Sequence, residues 1–388
     1  MDLSRMKLIY IANSKIPTEK AHGFQIMKMC EAFSNAGVDI EMWVPKRFND
    51  IKDNPFQYYN IREVFAIKKI SVVDLIPLLV PLSKYLGFIA NFIESFSFAL
   101  FAIIDLLRQD FDVIYSRDQF VGWLLSFTGR KFVYEIHSFP KNAWAYKRIW
   151  RRAYKIIAIT NGLQTLLVNR GAEPKKILVA SDAVDLAAFN AVFQTKDELK
   201  TELGLPNGFL VGYIGKFKTL GMEKGVKTMI EALPLLDKEA KMVFVGGEEH
   251  EIKDYKSFAN RFNVSAQCVF IGYQPRLRAI KYIKAMDALV MPFPNVPHYA
   301  FYASPLKLFE YMASGRPIIA SDLPALKEVL NDKNALFFKP DDASGLARAV
   351  KMIKSSQTLG YHLSQQALAD AKEYTWEIRA KNIMQFIQ

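Results

Sequence analysis

Cysteine is nearly absent: Cys30 and Cys268 are the only two in 388 residues, far apart and without metal-ligand spacing. That excludes a disulfide scaffold and a zinc module and suits a reducing compartment. Uninterrupted hydrophobic runs are scarce as well. A membrane-spanning helix needs about 20 nearly uncharged residues. The richest stretch, residues 70–107, is cut by Asp74, Lys84, Glu94 and Asp105 and by Pro77 and Pro81. The opening MDLSRMKLIYIANS carries an apolar run too short for a secretory leader and reads as a first strand. No G-x-G-x-x-G follows that strand, which removes a nicotinamide-binding reading. No Asp-x-Asp metal motif stands at a strand end, and no long repeat or low-complexity tract is present. Acidic residues are in deficit, 39 Asp and Glu against 51 Lys and Arg, a formal net charge of +12. The excess predicts attraction to nucleic acid, nucleotide phosphates or an acidic membrane face. No nucleic-acid motif accompanies it, so nucleic acid is not expected as a partner.

What is present is globular: 51% hydrophobic residues, 23% charged, and enough length for two domains. Strand-like runs at 7–12, 40–44, 112–115, 131–136, 155–159 and 176–180 alternate with helical stretches. One of these, 24–35, stops before Gly37, a natural terminator. Such alternation predicts a mostly parallel sheet with helices on both faces. Residues 182–208 are polar, end in Leu-Pro-Asn-Gly, and read as a linker. The alternation restarts at 209–214, 241–245, 268–271, 288–291 and 318–321, and the chain is helical from Ala343. The expected organisation is an N-terminal domain over 1–185, a second over 200–365, and a closing segment over 366–388.

Two segments suggest surfaces. Residues 70–107 are either a pair of buried core helices or an exposed apolar surface that dips into a bilayer or holds a lipid tail. Trp144, Tyr146, Lys147, Arg148, Trp150, Arg151, Arg152, Tyr154 and Lys155 interleave rings with cations. The pattern suits an anionic interface, or a solvated helix that buries its Trp and Tyr.

Ligands of open parallel sheets bind beyond the carboxyl ends of the strands, so residues that directly follow strands are candidates. His22-Gly23 stands just ahead of a helix, where a glycine admits a phosphate and helix amides are unpaired. His137 follows the strand at 131–136, and Arg117-Asp118 the strand at 112–115; either can face a cleft or serve structure. Gly215-Lys216 opens a glycine-marked loop that runs through Gly221 to Lys224-Gly225 and a helix. Its two cations can neutralise a diphosphate. Ser304 fits an N-cap, Pro305 a first helical position, and Gly315 a helix end. Glu310, further along that helix, can accept both hydroxyls of a ribose, or form a surface pair with Lys307.

These residues together resemble glycosyltransferase family 4, and the similarity runs over nearly the whole chain. It is carried by HGFQIMKMCEAFSNAG, DVIYSRD, YEIH, VGYIGKFKTLGMEKG, FIGYQPRLRAIKYIKAMDALVMPF and YTWEIRAKNI, and above all by SPLKLFEYMASGRPIIASDLPALKEVL. The resemblance implies the GT-B fold, two Rossmann-like doubly wound domains facing an interdomain cleft, with the last helix crossing back to the first domain. It implies that Gly23 approaches the donor phosphate and that His137 binds the transferred sugar. Lys216 and Lys224 would hold the diphosphate, Glu310 the ribose, and the backbone of Ser304, Pro305 and Leu306 the phosphates or sugar. Gly215 opens the donor loop, and Gly272 and Tyr273 lie near the base. Arg117 and Asp118 are candidates for the acceptor side. Tyr302 stands where the family often has a first glutamate, Lys216 where arginine is common, and Asp182-Ala183 where Asn-Gly commonly occurs. The activity implied is retaining transfer of a hexose-type sugar from a nucleotide sugar, UDP- before GDP-linked. The acceptor would be a glycan or lipid-linked surface-glycan precursor at the cytoplasmic membrane face. Neither metal nor other cofactor is expected. A sugar-nucleotide epimerase of the same fold and a non-catalytic nucleotide-sugar-binding protein are the competing readings.

Overall fold

The structure, a computed structural model, describes residues 6–140, 143–219 and 221–388; the side chains of 143–145 are outside the description. The chain divides into two compact units, Met1–Ser181 with Trp376–Gln388, and Asp182–Thr375.

The first unit holds a seven-stranded sheet. Its strands are β1 (Lys7–Ile11), β2 (Asp39–Pro45), β3 (Ala66–Ile70), β4 (Val113–Ser116), β5 (Phe132–Ile136), β6 (Lys155–Ala158) and β7 (Ile177–Val179). Their order is β3-β2-β1-β4-β5-β6-β7, and every pair is parallel. β4 and β5 are buried at every position, so they read as continuous apolar runs rather than alternating ones. β3, Ala-Ile-Lys-Lys-Ile, escapes sequence reading because an edge strand with two lysines lacks that signature.

The second unit has β8 (Phe209–Ile214), β9 (Lys218–Thr219), β10 (Met222–Glu223), β11 (Ala240–Gly247), β12 (Cys268–Gly272), β13 (Ala288–Met291), β14 (Ile318–Ser321) and β15 (Leu336–Phe338). Six of them form a parallel sheet in the order β12-β11-β8-β13-β14-β15, and β9 and β10 form a separate antiparallel ribbon. Residues 182–208 are not a linker. They fold into the helices Leu186–Asn190 and Lys196–Glu202, with Val184, Phe189 and Leu199 in the core of this unit. Apolar residues three and four apart outweighed the polar composition there. The returning segment begins at Trp376 rather than 366: its helix, Trp376–Ile387, packs on the first unit's Ala21–Asn35 helix.

Residues 70–107 are not a pair of buried core helices. They form a short helix, Ile76–Leu79, and a long one, Lys84–Leu106, of which only one side is buried. That side carries Ala90, Glu94, Phe98, Ala99 and Ala102, whereas Tyr85 (74%), Phe88 (72%) and Phe92 (51%) are exposed on the other. By length and composition alone this is the one described helix long and apolar enough to cross a membrane. Yet Glu94 is buried against Arg47 at 3.3 Å, which ties the inner side to the unit's own polar interior. In the Ala143–Arg152 helix Trp150 is core, while Lys147, Arg151 and Arg152 face outward; Trp144 lies outside the described side chains.

Candidate functional site

Both sheets change winding direction at a defined point, between β1 and β4 in the first unit and between β8 and β13 in the second. At such a point the connections diverge and leave a crevice beyond the strand ends. Most candidate residues fall at one of these two points.

In the first unit, Asn13, Ser14, His22, Arg117 and Asp118 line a polar cavity of about 190 Å³ at the ends of β1 and β4. His22 Nε2 meets Ser14 Oγ at 2.9 Å. Asp118 caps the Gln119–Leu125 helix, its carboxylate accepting from the amides of Phe120 and Val121 at 2.9 Å each. Burial outweighs those bonds and pushes its carboxyl up to about 6. His22 and Gly23 do not precede the helix: it begins at Ala21, so both lie in its first turn. The space beside Gly23 is occupied, since a Cβ there would stand 2.3 Å from the Tyr59 hydroxyl and 2.5 Å from Thr18 Cγ2. The Tyr59 hydroxyl in turn joins the Thr18 amide at 2.6 Å and its carbonyl at 2.8 Å. This glycine is therefore explained by packing.

His137 follows β5 and belongs to a buried network that sequence reading missed. Glu135, two residues earlier, accepts from four donors: His137 Nε2, Gln25 Nε2 at 3.0 Å, the Tyr115 hydroxyl, and Arg379 of the C-terminal helix at 3.0 Å. Arg379 also donates to the Ser181 carbonyl at 2.8 Å, and Arg117 to Gln25. Burial alone would raise the Glu135 carboxyl, but Arg379, His137 and Arg117 hold it well below the usual range. For His137, burial and then Arg117 outweigh Glu135 and lower the imidazole to about 4. The ring is thus neutral near pH 7. With Nε2–H donating to Glu135, Nδ1 is left as an acceptor. A carboxylate inside the otherwise apolar run of β5, Phe-Val-Tyr-Glu-Ile, needs buried partners, which was the available signal.

In the second unit Gly215 directly follows β8 with φ 134°, a backbone region closed to ordinary side chains, and Lys216 beside it is exposed. The β9–β10 ribbon brings the chain back to Lys224, whose amide donates to the Phe217 carbonyl at 3.1 Å. Gly225 (φ 85°) caps the Val226–Ala232 helix; a Cβ there would strike the Pro292 carbonyl at 1.7 Å. The first amides of this helix are already engaged: Glu223 accepts from Gly225 N at 2.8 Å and Lys227 N at 3.1 Å. Positive charge at this loop therefore comes from the lysines. Burial, and then Lys216, lower the Lys224 ammonium to about 8, with Glu251 opposing.

The Leu306–Met312 helix is tied to β8 through Tyr311, whose hydroxyl accepts from the Ile214 amide at 2.8 Å. That bond brings Lys307 and Glu310, four and one residues earlier, to the end of β8. Ser304 is not the N-cap. Its hydroxyl accepts from the Asp182 amide at 2.9 Å, and Pro305 occupies the cap position without a side-chain bond. Leu306 is the first helical residue. Lys307 and Glu310 do not form a surface pair, because Lys307 is buried and Glu310 instead meets Arg276 at 2.5 Å. Gly272 ends β12, where a Cβ would touch the Gly247 carbonyl at 3.9 Å, and Tyr273 after it is half-exposed. Lys224, Lys216, Lys307 and Glu310 are thus electrostatic neighbours around one strand end.

Two family models match the chain. Glycosyltransferase Family 4 covers residues 23–188 and Glycosyl transferases group 1 covers residues 208–355. The chain belongs to glycosyltransferase family 4, and its fold is GT-B. HepE of Anabaena, solved in complex with UDP-glucose, superposes with a TM-score of 0.75 at 17% identity, over 98% of each chain. Among curated proteins, the putative teichuronic acid biosynthesis glycosyltransferase TuaC of Bacillus subtilis (strain 168) is 26% identical over 55% of this chain and 50% of its own. A D-inositol 3-phosphate glycosyltransferase of Jonesia denitrificans is 24% identical over 55% of this chain and 51% of its own. The chain thus spans about half the length of the curated relatives it matches.

Proposed function

We propose that this chain transfers a hexose-type sugar, with retention, from a nucleotide sugar to a glycan or lipid-linked acceptor in surface-polysaccharide synthesis, at the cytoplasmic face of a membrane. The observation that carries the reading is the gathering of Lys216, Lys224 and Glu310 around the end of β8, at the second sheet's switch point. Breaking the sugar–phosphate bond builds positive charge on the sugar ring and negative charge on the departing diphosphate. Lys216 and Lys224 supply cations for that diphosphate, and no metal ion is invoked. Glu310 accepts from ribose hydroxyls once Arg276 shares or yields its carboxylate. Gly272 and Tyr273 offer a platform for the base. In the first unit, neutral His137 hydrogen-bonds sugar hydroxyls, and the polar cavity at Arg117 and Asp118 suits an acceptor. A UDP-linked donor is favoured, since HepE was solved with UDP-glucose. The exposed aromatic side of the Lys84–Leu106 helix supports the membrane part.

A thermal-shift panel of UDP- and GDP-sugars checks this directly. The correct donor raises the melting temperature of the wild type by mass action. The shift disappears in Glu310→Ala and Lys224→Ala, each weakening binding by roughly tenfold or more. A panel in which no nucleotide sugar stabilises the wild type would remove the proposal.

A further inference from the structure

Lys307, a charged residue at the second unit's switch point, is left without a task by the reading above. It is 8% exposed, and its ammonium has no hydrogen-bond partner among the described residues. It rests on the Tyr213 ring, 3.6 Å from the centroid, with Phe293 at 5.9 Å. Above it lies Gly215: a Cβ at that position would stand 2.8 Å from Lys307 Nζ. The bare glycine therefore keeps the ammonium within one backbone thickness of the loop that opens the donor site. A buried ammonium without hydrogen bonds is costly, and one aromatic face returns only part of its lost hydration. A leucine or methionine would fill the same volume at no such cost, so packing alone does not account for a lysine.

We propose that Lys307 is a third cation of the donor site, held beneath Gly215 until the diphosphate of the nucleotide sugar arrives and its ammonium hydrogen-bonds that diphosphate. The inference rests on the nucleotide-sugar reading and deepens it. The surroundings suit an anion that comes from outside. Among the described residues, the charged groups that act on Lys307 are Lys224, which repels it, and Glu310, which attracts it, and Glu310 is already bonded to Arg276. Tyr213 and Tyr311, on the packed elements, stay protonated, both hydroxyls being raised by burial. Burial and Lys224 hold Lys307 well below its ordinary value, and a diphosphate reverses that balance.

The probe is UDP, with uridine as its phosphate-free counterpart, titrated calorimetrically into wild type and Lys307→Met. Methionine keeps the length and apolar packing of the stem. The expected result is UDP binding weakened by about tenfold to a hundredfold, with uridine binding within roughly twofold and a melting temperature no lower than wild type. Equal UDP affinity in the two proteins, or an equal loss for uridine, overturns the role. A second readout needs no variant. Over the Tyr213 ring, the Lys307 Cε resonance of lysine-labelled wild type is displaced upfield, and UDP, but not uridine, should move it. A resonance that UDP leaves in place also overturns the proposal. A wild type that binds neither UDP nor GDP instead removes the donor reading and this inference with it, whereas Glu310→Ala losing UDP while Lys307→Met keeps it removes this inference alone.

Discussion

A neutral His137 has a measurable consequence. Its folded-state value of about 4 lies below the ordinary 6.5. Between those values the unfolded chain binds a proton that the native one does not. Stability contributed by His137 is therefore complete above pH 6.5 and declines as pH falls toward 4, by at most about 1.4 kcal/mol per unit. Denaturant unfolding at pH 7 and pH 5 should give a smaller difference in His137→Asn than in wild type. Lys224 has a depressed value as well, about 8 against 10.5. Here the native amine is neutral and the unfolded one charged between those values, so its contribution to stability rises with pH across that window. Under the proposed function, donor affinity should run the other way: flat below pH 8 and falling above it, because a neutral amine no longer meets a diphosphate. Lys224→Arg stays charged and should keep its affinity at pH 9, as donor titrations would register.

At the scale of elements, the Lys84–Leu106 helix divides its work between two sides. Its inner side packs through Phe98, Ala99 and Ala102, and Phe92 and Phe96 meet Phe120 of the neighbouring helix edge-on. The outer side leaves Tyr85 and Phe88 in solvent, with Leu78 and Leu82 of the preceding turn equally bare. The double variant Tyr85→Glu, Phe88→Glu should lose sedimentation with anionic vesicles at low salt while its melting temperature moves by only a few degrees. Wild type that stays in the supernatant would instead leave this side without a membrane role. The existence of this helix was legible from its apolar content, but its one-sided burial was not. Periodicity identifies a stripe, and here both the inner and outer sides are apolar, so only the packing of Glu94 against Arg47 reveals which one faces inward.

At the scale of the molecule, the first unit is completed by residues almost two hundred positions beyond its own last strand. Trp376, Arg379, Ile383 and Met384 are buried, and Trp376 meets the Phe24 ring at 6.3 Å. Losing such side chains costs about 2–5 kcal/mol each, against a typical total stability of about 5–15 kcal/mol. A chain ending at Thr375 should therefore lose amide-exchange protection across β1–β7 while β8 and β11–β15 keep theirs. Protection lost equally in both units would contradict this division. Arg379 adds a second dependence, since without it Glu135 keeps a buried carboxylate with one charge partner fewer.

The sequence alone determined the two doubly wound units, most of their strands, and the candidate residues Gly215, Lys216, Lys224 and Glu310. Those features are written in local periodicity and in residues that follow strands directly, and both survive in one dimension. Only the tertiary structure decided that Glu135 and Arg379 hold His137, that Ser304 binds the Asp182 amide instead of capping a helix, that Arg276 meets Glu310, and that Lys307 lies buried under Gly215. These join residues separated by as little as 2 positions, Glu135 and His137, and as much as 244, Glu135 and Arg379, and which polar groups end up paired or stranded depends on how the elements pack.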